Sequence, residues 1–435
     1  MSFLEKNLGN IYILMLPAIV FIPQWDPIDI KGLIWLVLSI INTIFILYIF
    51  FIFKDKGLSY LKDPVLLSFL SFFLISALSV TVALNKAESL MRLTDIYAIL
   101  TSVLIIVFIN AKKLLNHKFV LLVVFISLLL ETIGSYYQLY QVYDINGLFV
   151  VENRGDVKSI YPNKNITSFI FTIKIFISFI FLNSISNKFY KILVFVVITS
   201  SLYIIFLLGS RAILIILGIL AISYPAIIMF KKLFKKKIIN QDLSQLKYFF
   251  ISLFISFISY NIIVDTNTSM SNQSELNINS RVTSVFNPGD ESVSNRVRFT
   301  LHAIDQISKT PILGIGIGNW RIKSIEYDKE DMYSYVVPYS AHNDFLEIFA
   351  ETGVLGFVSF ILFFFFLLKN IFIGIQKWLN NKIELQHIYL LFAFLVMLGD
   401  FAANFPLDRP SSIITFLLLI SVIYSSKTKK IKSEL

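Results

Sequence analysis

Long apolar runs separated by short basic loops govern what this chain can become. FILYIFFIF at 45–53 and FILFFFFLL at 360–368 are typical of them. Twelve such runs are long enough, or nearly so, to cross a bilayer as helices: Ile11–Ile22, Leu33–Phe53, Val65–Leu84, Ile96–Ile109, Phe119–Tyr140, Ile166–Leu182, Ile192–Leu208, Ala212–Phe230, Tyr248–Val264, Ala350–Leu368, Ile388–Phe401 and Ile413–Tyr424. The expected fold class is therefore an all-α polytopic membrane protein of about 12 transmembrane helices. The first run, extended to Pro23, lacks a small-residue cleavage site, so no cleavable signal peptide is expected.

A composition of 56% hydrophobic and 15% charged residues is too apolar for a soluble globule of 435 residues. The net charge of +10 does not point to nucleic acid, because the lysines cluster in the short loops, where membrane topology accounts for them. With the N-terminus taken as cytoplasmic, the inner segments hold 22 Lys and Arg against 6 acids, and the outer segments 15 against 21. That asymmetry puts both termini in the cytoplasm and makes the KKLFKKK run from Lys231 a positive-inside anchor. It also divides the chain into 1–264 with helices one to nine, 265–349 as one large extracytoplasmic loop containing short helices, and 350–435 with helices ten to twelve and a basic cytoplasmic tail. With no cysteine, neither disulfides nor a thiolate metal site can form. Two charges fall inside spans, where an unpaired one costs about 3 kcal/mol or more. Glu131 and Lys174 sit at matching depths on adjacent antiparallel spans, so an ion pair between them is expected.

The outer loop concentrates the chemistry. Residues 265–291 are rich in Asn and Ser and read as irregular, and a helix is expected over Asn295–Lys309, stopping before Pro311. At 100° per residue Val297, Leu301 and Ile304 form an apolar stripe, and Arg298, His302 and Asp305 a solvated polar one. Arg296 falls beside Phe299, Thr300, Ala303 and Ile307; a guanidinium on a packed face requires an anionic partner, which singles it out for anion binding. PILGIGIGNW, 311–320, lacks the spacing of a dinucleotide fingerprint and reads as a turn back to the membrane, with a phosphate on its N–H groups as the alternative. The acidic EYDKED, 326–331, lacks a defined metal-ligand geometry. A helix is expected to begin near His342, with Phe345, Leu346 and Phe349 on the face of the histidine and Asp344, Glu347 and Glu351 on the far side. On that reading the acids cannot orient the imidazole, which is the natural general base near neutral pH. Arg211, in LLGSRAILI, is a snorkelling cation or a phosphate ligand. Asp400, Asp408 and Arg409, in LGDFAANFPLDRP, reach the same outer surface.

GSR at 209–211, the Arg296 helix leading to PILGIGIGNW, and HNDFLEIFAETGVLG from His342 together resemble the O-antigen ligase and polymerase family of bacterial lipid-linked glycan transferases. YPNKNITSF, 161–169, resembles a weaker Asn-rich motif of the same proteins. The resemblance implies an inner-membrane enzyme with its active site at the periplasmic face, moving a glycan from undecaprenyl diphosphate to a hydroxyl acceptor such as a lipid A core. It implies that Arg211 and Arg296 hold the diphosphate and that His342 deprotonates the acceptor. Arg298, Asn343, Asp400 and Arg409 would be supporting residues. No cofactor or metal is then required. Polymerisation on the same carrier and protein O-glycosylation remain alternatives within the family, and a polysaccharide flippase is the alternative outside it. A transporter more often keeps its polar site at the bilayer midplane than on a one-sided loop.

Overall fold

The computed structural model describes residues 3–22, 30–53, 58–146, 151–233, 238, 240–266, 278, 283, 291–329, 339–381 and 385–426. The fold is all-α and has no strand among these residues. Its helices are α1 (Phe3–Val20), α2 (Ile30–Phe53), α3 (Pro64–Ser79), α4 (Lys86–Ala111), α5 (His117–Asn146), α6 (Lys164–Ser184), α7 (Lys188–Leu208), α8 (Arg211–Leu233), α9 (Asn240–Thr266), α10 (Glu291–Lys309), α11 (Trp320–Asp328), α12 (Asp344–Leu379), α13 (Gln386–Ala403) and α14 (Pro410–Ser426). Each of the twelve apolar runs coincides with one of these helices. Among the described residues ten helices are long and apolar enough to cross a membrane; the runs in α1 and α14 form shorter or less apolar helices. The Asn- and Ser-rich stretch expected to be irregular lies almost wholly outside the described residues.

The helices start where short polar side chains can accept the free N–H groups of a first turn. Asp63 accepts from Val65 ahead of α3, Asn85 from Ala87 and Glu88 ahead of α4, and Asn163 from Asn165 ahead of α6. Asn163 belongs to the Asn-rich motif at 161–169, which is thereby partly a helix cap. The α10 helix ends at Lys309 as expected but starts earlier, at Glu291.

The chain forms two compact units. The first comprises 1–115, 289–369 and 400–424, and the second 116–288, 370–399 and 425–435. In the first, Phe360, Phe364, Phe401 and Phe416 pack ring to ring, with Phe364 stacked on Phe416 at 5.6 Å and edge-on to Phe401 at 5.0 Å. Such packing, rather than water exclusion, holds helices together in lipid. In the second, Phe179 stacks on Tyr389 at 5.2 Å and Tyr224 donates to the Tyr389 hydroxyl at 3.1 Å.

Two pairs of opposite charges are buried in the second unit. Lys174 Nζ lies 2.5 Å from Glu131 Oε1, and the same oxygen accepts from Tyr161 at 2.7 Å and Ser127 at 2.9 Å. The expected ion pair is present, embedded in a four-residue network. Lys231 departs from its expected role as a loop anchor. It is fully buried, bonded to Asp242 at 2.8 Å and seated over the Trp378 ring, whose N–H also reaches Asp242. A helix that continues past the apolar run carries this lysine inward; Lys235, Lys236 and Lys237 lie outside the described residues.

Candidate functional site

The stretch from Pro311 to Asn319 fixes the geometry of the first unit's polar end. It crosses α12 so closely that a Cβ at Gly353, whose φ is +67°, would stand 2.0 Å from the Ile312 carbonyl oxygen. Only glycine tolerates both that approach and that backbone angle. Ile315 and Gly316 donate to the Ala350 and Glu351 carbonyls, Ile317 donates to Ser79, and Val354 donates back to Pro311. The N–H groups considered for a phosphate are therefore used in holding the turn against α3 and α12, and the turn reading stands.

His342 does not lie in a helix. It occupies the left-handed region at φ 52°, two residues before α12 begins at Asp344. The helical-wheel placement beside Phe345, Leu346 and Phe349 therefore does not apply. Its ring lies parallel to Phe299 of α10 at 5.9 Å and edge-on to Phe405 at 5.1 Å, while the Arg409 guanidinium covers the Phe405 ring at 3.8 Å. The imidazole Nδ1 is buried and has no hydrogen-bond partner among the described residues. Burial, and then the positive charges of Arg296 and Arg409, push the His342 pKa down to about 4. The ring is thus neutral at neutral pH and able to accept a proton.

The backbone at His342 is held by side chains on both sides of it. Glu347 Oε2 accepts from the Ala341 N–H at 2.8 Å, and Ser340 Oγ accepts from the His342 N–H at 3.0 Å. Asn343 Oδ1 accepts from Phe345 and Leu346 and caps α12. The expectation that the acids of this segment cannot orient the histidine needs correction. None approaches the ring, but Glu347 fixes the peptide preceding it. Its neighbours have parallel tasks: Glu351 accepts from Trp320 N–H at 2.8 Å, and Asp344 from Leu407 N–H at 2.8 Å. The turn bearing Leu407 also bears Phe405 and Asp408, and Asp408 pairs with Arg92 at 2.7 Å and Arg321 at 3.3 Å. Buried carboxylates thus hold the His342 turn, the Phe405–Asp408 turn and the start of α11 by backbone N–H groups.

The remaining expected residues divide. Arg296 and Arg409 lie close enough to His342 to oppose its protonation. Arg298 belongs to a different contact: its Nε is 2.7 Å from Oδ1 of the buried Asp328, and its Nη2 donates to Oδ2 at 3.1 Å, tying α10 to α11. Arg298 is a structural tie more than a solvated charge. Asp400 is buried and accepts from Asn404 at 2.8 Å. In the second unit, Arg211 is the first residue of α8, directly after the αL turn at Gly209 that ends α7. Arg154 lies against that turn, so that a Cβ at Gly209 would collide with its guanidinium, and it donates to Tyr260 at 2.9 Å. No local sequence signal distinguished Arg154, a fully buried cation beside GSR. Among the described residues no three His, Asp or Glu side chains are arranged to hold a metal ion.

Residues 193–361 match the O-antigen ligase family. The similarity covers that segment and not the rest of the chain. No curated protein matches the chain. The matched segment contains Arg211, Arg296, His342, Ser340 and Glu347, whereas Phe405, Arg409 and Arg154 fall outside it. Ten helices long and apolar enough to cross a membrane among the described residues fit an integral membrane protein, and the match supports a glycosyltransferase of the ligase and polymerase type.

Proposed function

We propose that the protein transfers a glycan from undecaprenyl diphosphate to the hydroxyl of a lipid A core or similar acceptor at the periplasmic face of the inner membrane. The observation that carries this is the neutral His342, with a free Nδ1, beside Arg296 and Arg409. In the reaction, the acceptor O–H gives its proton to the imidazole while its oxygen bonds to the anomeric carbon of the donor. The bond from that carbon to the diphosphate oxygen breaks, and the electron pair leaves on the lipid diphosphate. Arg296 stabilises the departing charge, joined in this proposal by Arg211 on motif grounds.

The two guanidiniums also give the base a dependence on its substrate. Burial, and then the charges of Arg296 and Arg409, hold the imidazole pKa low in the free protein; a diphosphate bound to those two arginines would cancel their field and raise the basicity of His342 when the donor is in place. A base with a pKa near 4 is weak at neutral pH, and a base brought closer to neutrality is the effective one.

The test is reconstitution of the purified protein with an undecaprenyl-diphosphate glycan and a lipid A core acceptor. Glycan on the acceptor, with release of undecaprenyl diphosphate, supports ligation. A lengthened glycan on the same carrier supports the polymerase alternative, and passage across the bilayer without bond formation overturns both.

A further inference from the structure

The apolar stripe of α10 faces away from the protein. Val297, Leu301 and Ile304 are 55%, 59% and 49% exposed, while the opposite face supplies the buried Ala303 and Gln306. Ala303 packs with Ile315, Trp320, Ala341 and Ala350, and Ile307 packs against that cluster. The packed face is thus the one expected beside Arg296, with Ala303 and Ile307, and the Val297, Leu301 and Ile304 stripe is left exposed. A polar flank carrying Arg298, Asp305 and Lys309 runs along one side of it, with Arg298 bonded to Asp328 and Lys309 to Asp305 and Tyr327.

The surface this stripe joins indicates what covers it. Beyond Lys309 the chain passes through Pro311 to Ile312, which is 64% exposed. Pro311 accepts from the N–H of Val354, and Val354, Leu355 and Val358 are exposed apolar residues of the membrane-spanning part of α12. Along the chain the stripe therefore leads, through Ile312, to the exposed apolar surface of a helix long and apolar enough to cross a membrane. A helix with one apolar face, one charged flank and low overall hydrophobicity lies in the plane of the membrane interface.

We infer that the occupant of this face is the bilayer itself: α10 lies in the outer interfacial layer, with Val297, Leu301, Ile304 and Ile312 among the acyl chains and Asp305 and Lys309 in water. This goes beyond the transfer reaction. Its consequence for the site, which rests on the transfer proposal, is that Arg296 and Phe299 are held at headgroup depth, where the diphosphate of a lipid-linked donor lies.

The chain has no cysteine, so single labels are clean. Leu301→Cys and, as the aqueous reference on α11, Glu326→Cys are each labelled with an environment-sensitive fluorophore. The full chain is then reconstituted into vesicles of phosphatidylethanolamine and phosphatidylglycerol. Lipids carrying a nitroxide near the headgroup end of the acyl chain should remove most of the emission from the label at 301 and little from that at 326; aqueous iodide should do the reverse. Iodide quenching at 301 equal to that at 326, without lipid quenching, overturns the inference. Protection of 301 from both quenchers also overturns it, because a protein partner or second copy then covers the stripe. Neither readout uses glycan transfer, so a failed transfer reaction leaves the placement of α10 testable.

Discussion

Replacing Glu347 by alanine should disable His342 without touching it. A non-glycine residue in the left-handed region costs about 1–2 kcal/mol, and His342 is such a residue. Two hydrogen bonds offset that cost, one from Ala341 N–H to Glu347 and one from His342 N–H to Ser340. A hydrogen bond contributes about 0.5–1.5 kcal/mol net, and a buried N–H left without a partner costs about 1–3 kcal/mol. Ala341 is buried, so Glu347→Ala removes more than the strain it was offsetting, and the turn relaxes toward an ordinary backbone angle. A loss of about 1.4–2.8 kcal/mol from the correctly placed imidazole corresponds to about a 10- to 100-fold fall in rate. Glu347→Gln keeps a carbonyl oxygen where the carboxylate oxygen was and should stay within a few-fold of the parent. The assay is glycan transfer in reconstituted vesicles with kcat and donor KM measured separately, alongside thermal unfolding in detergent. The fall should appear in kcat with KM nearly unchanged, as expected for a group that positions the base and does not bind the donor. A Glu347→Ala protein with a rate within twofold of the parent would refute the reasoning, and so would a Glu347→Gln protein as impaired as Glu347→Ala.

His342→Ala should lower transfer by about 10²- to 10⁴-fold while leaving insertion intact, the usual range for a lost general base; near-parental transfer would remove that role. Because its pKa is pushed down to about 4 in the free protein, kcat/KM should not show the inflection near 6.5 of an ordinary histidine as the pH is lowered from 7. The same shift has a stability sign. The unfolded chain binds the proton first, so the contribution of neutral His342 is complete above about pH 6.5 and is lost as pH falls toward 4. His342→Asn should flatten that part of the curve of unfolding temperature against pH. Arg298→Ala cuts a tie to the buried Asp328 and should destabilise by about 1–3 kcal/mol, whereas Arg296→Ala should abolish transfer with little change in unfolding temperature. Glu131→Ala leaves Lys174 buried without its carboxylate and should cost about 3–5 kcal/mol. Adding Lys174→Met should recover part of that but not all, since the Tyr161 and Ser127 hydroxyls also bond to Glu131.

The membrane architecture was legible because each helix is specified by a local property. A run of apolar residues is helical wherever lipid surrounds it, and all twelve runs are helices. The Glu131–Lys174 pair was legible for a related reason: depth in a bilayer is counted along the chain, so two charges on neighbouring spans can be matched without knowing how the spans pack. Local periodicity failed where a face had to be assigned a partner. The periodicity put Ala303 and Ile307 on the packed face beside Arg296, where they lie, but it does not say whether protein or lipid covers the Val297, Leu301 and Ile304 stripe. Arg298 read as solvated because Asp328 lies thirty residues away on another helix.

His342 shows the limit most sharply. A helical wheel presumes helical backbone, and here the chain takes a left-handed step before α12 starts. The residues that make this step affordable are Ser340, two positions before it, and Glu347, five after it. Their spacing matches neither a helix face nor a capping box. The reason lies in tertiary closure. Phe299 and Phe405 meet the ring from segments separated by about a hundred residues of chain, with Arg409 behind Phe405; Asp344 holds the Phe405 turn through Leu407 N–H, Glu347 the His342 turn through Ala341 N–H, and Glu351 the 311–320 turn through Trp320 N–H. An acid that serves a histidine through the preceding peptide leaves no side-chain pairing for a sequence motif to display. In this segment, carboxylates near His342 are therefore better sought among the acceptors of loop N–H groups than on the imidazole itself.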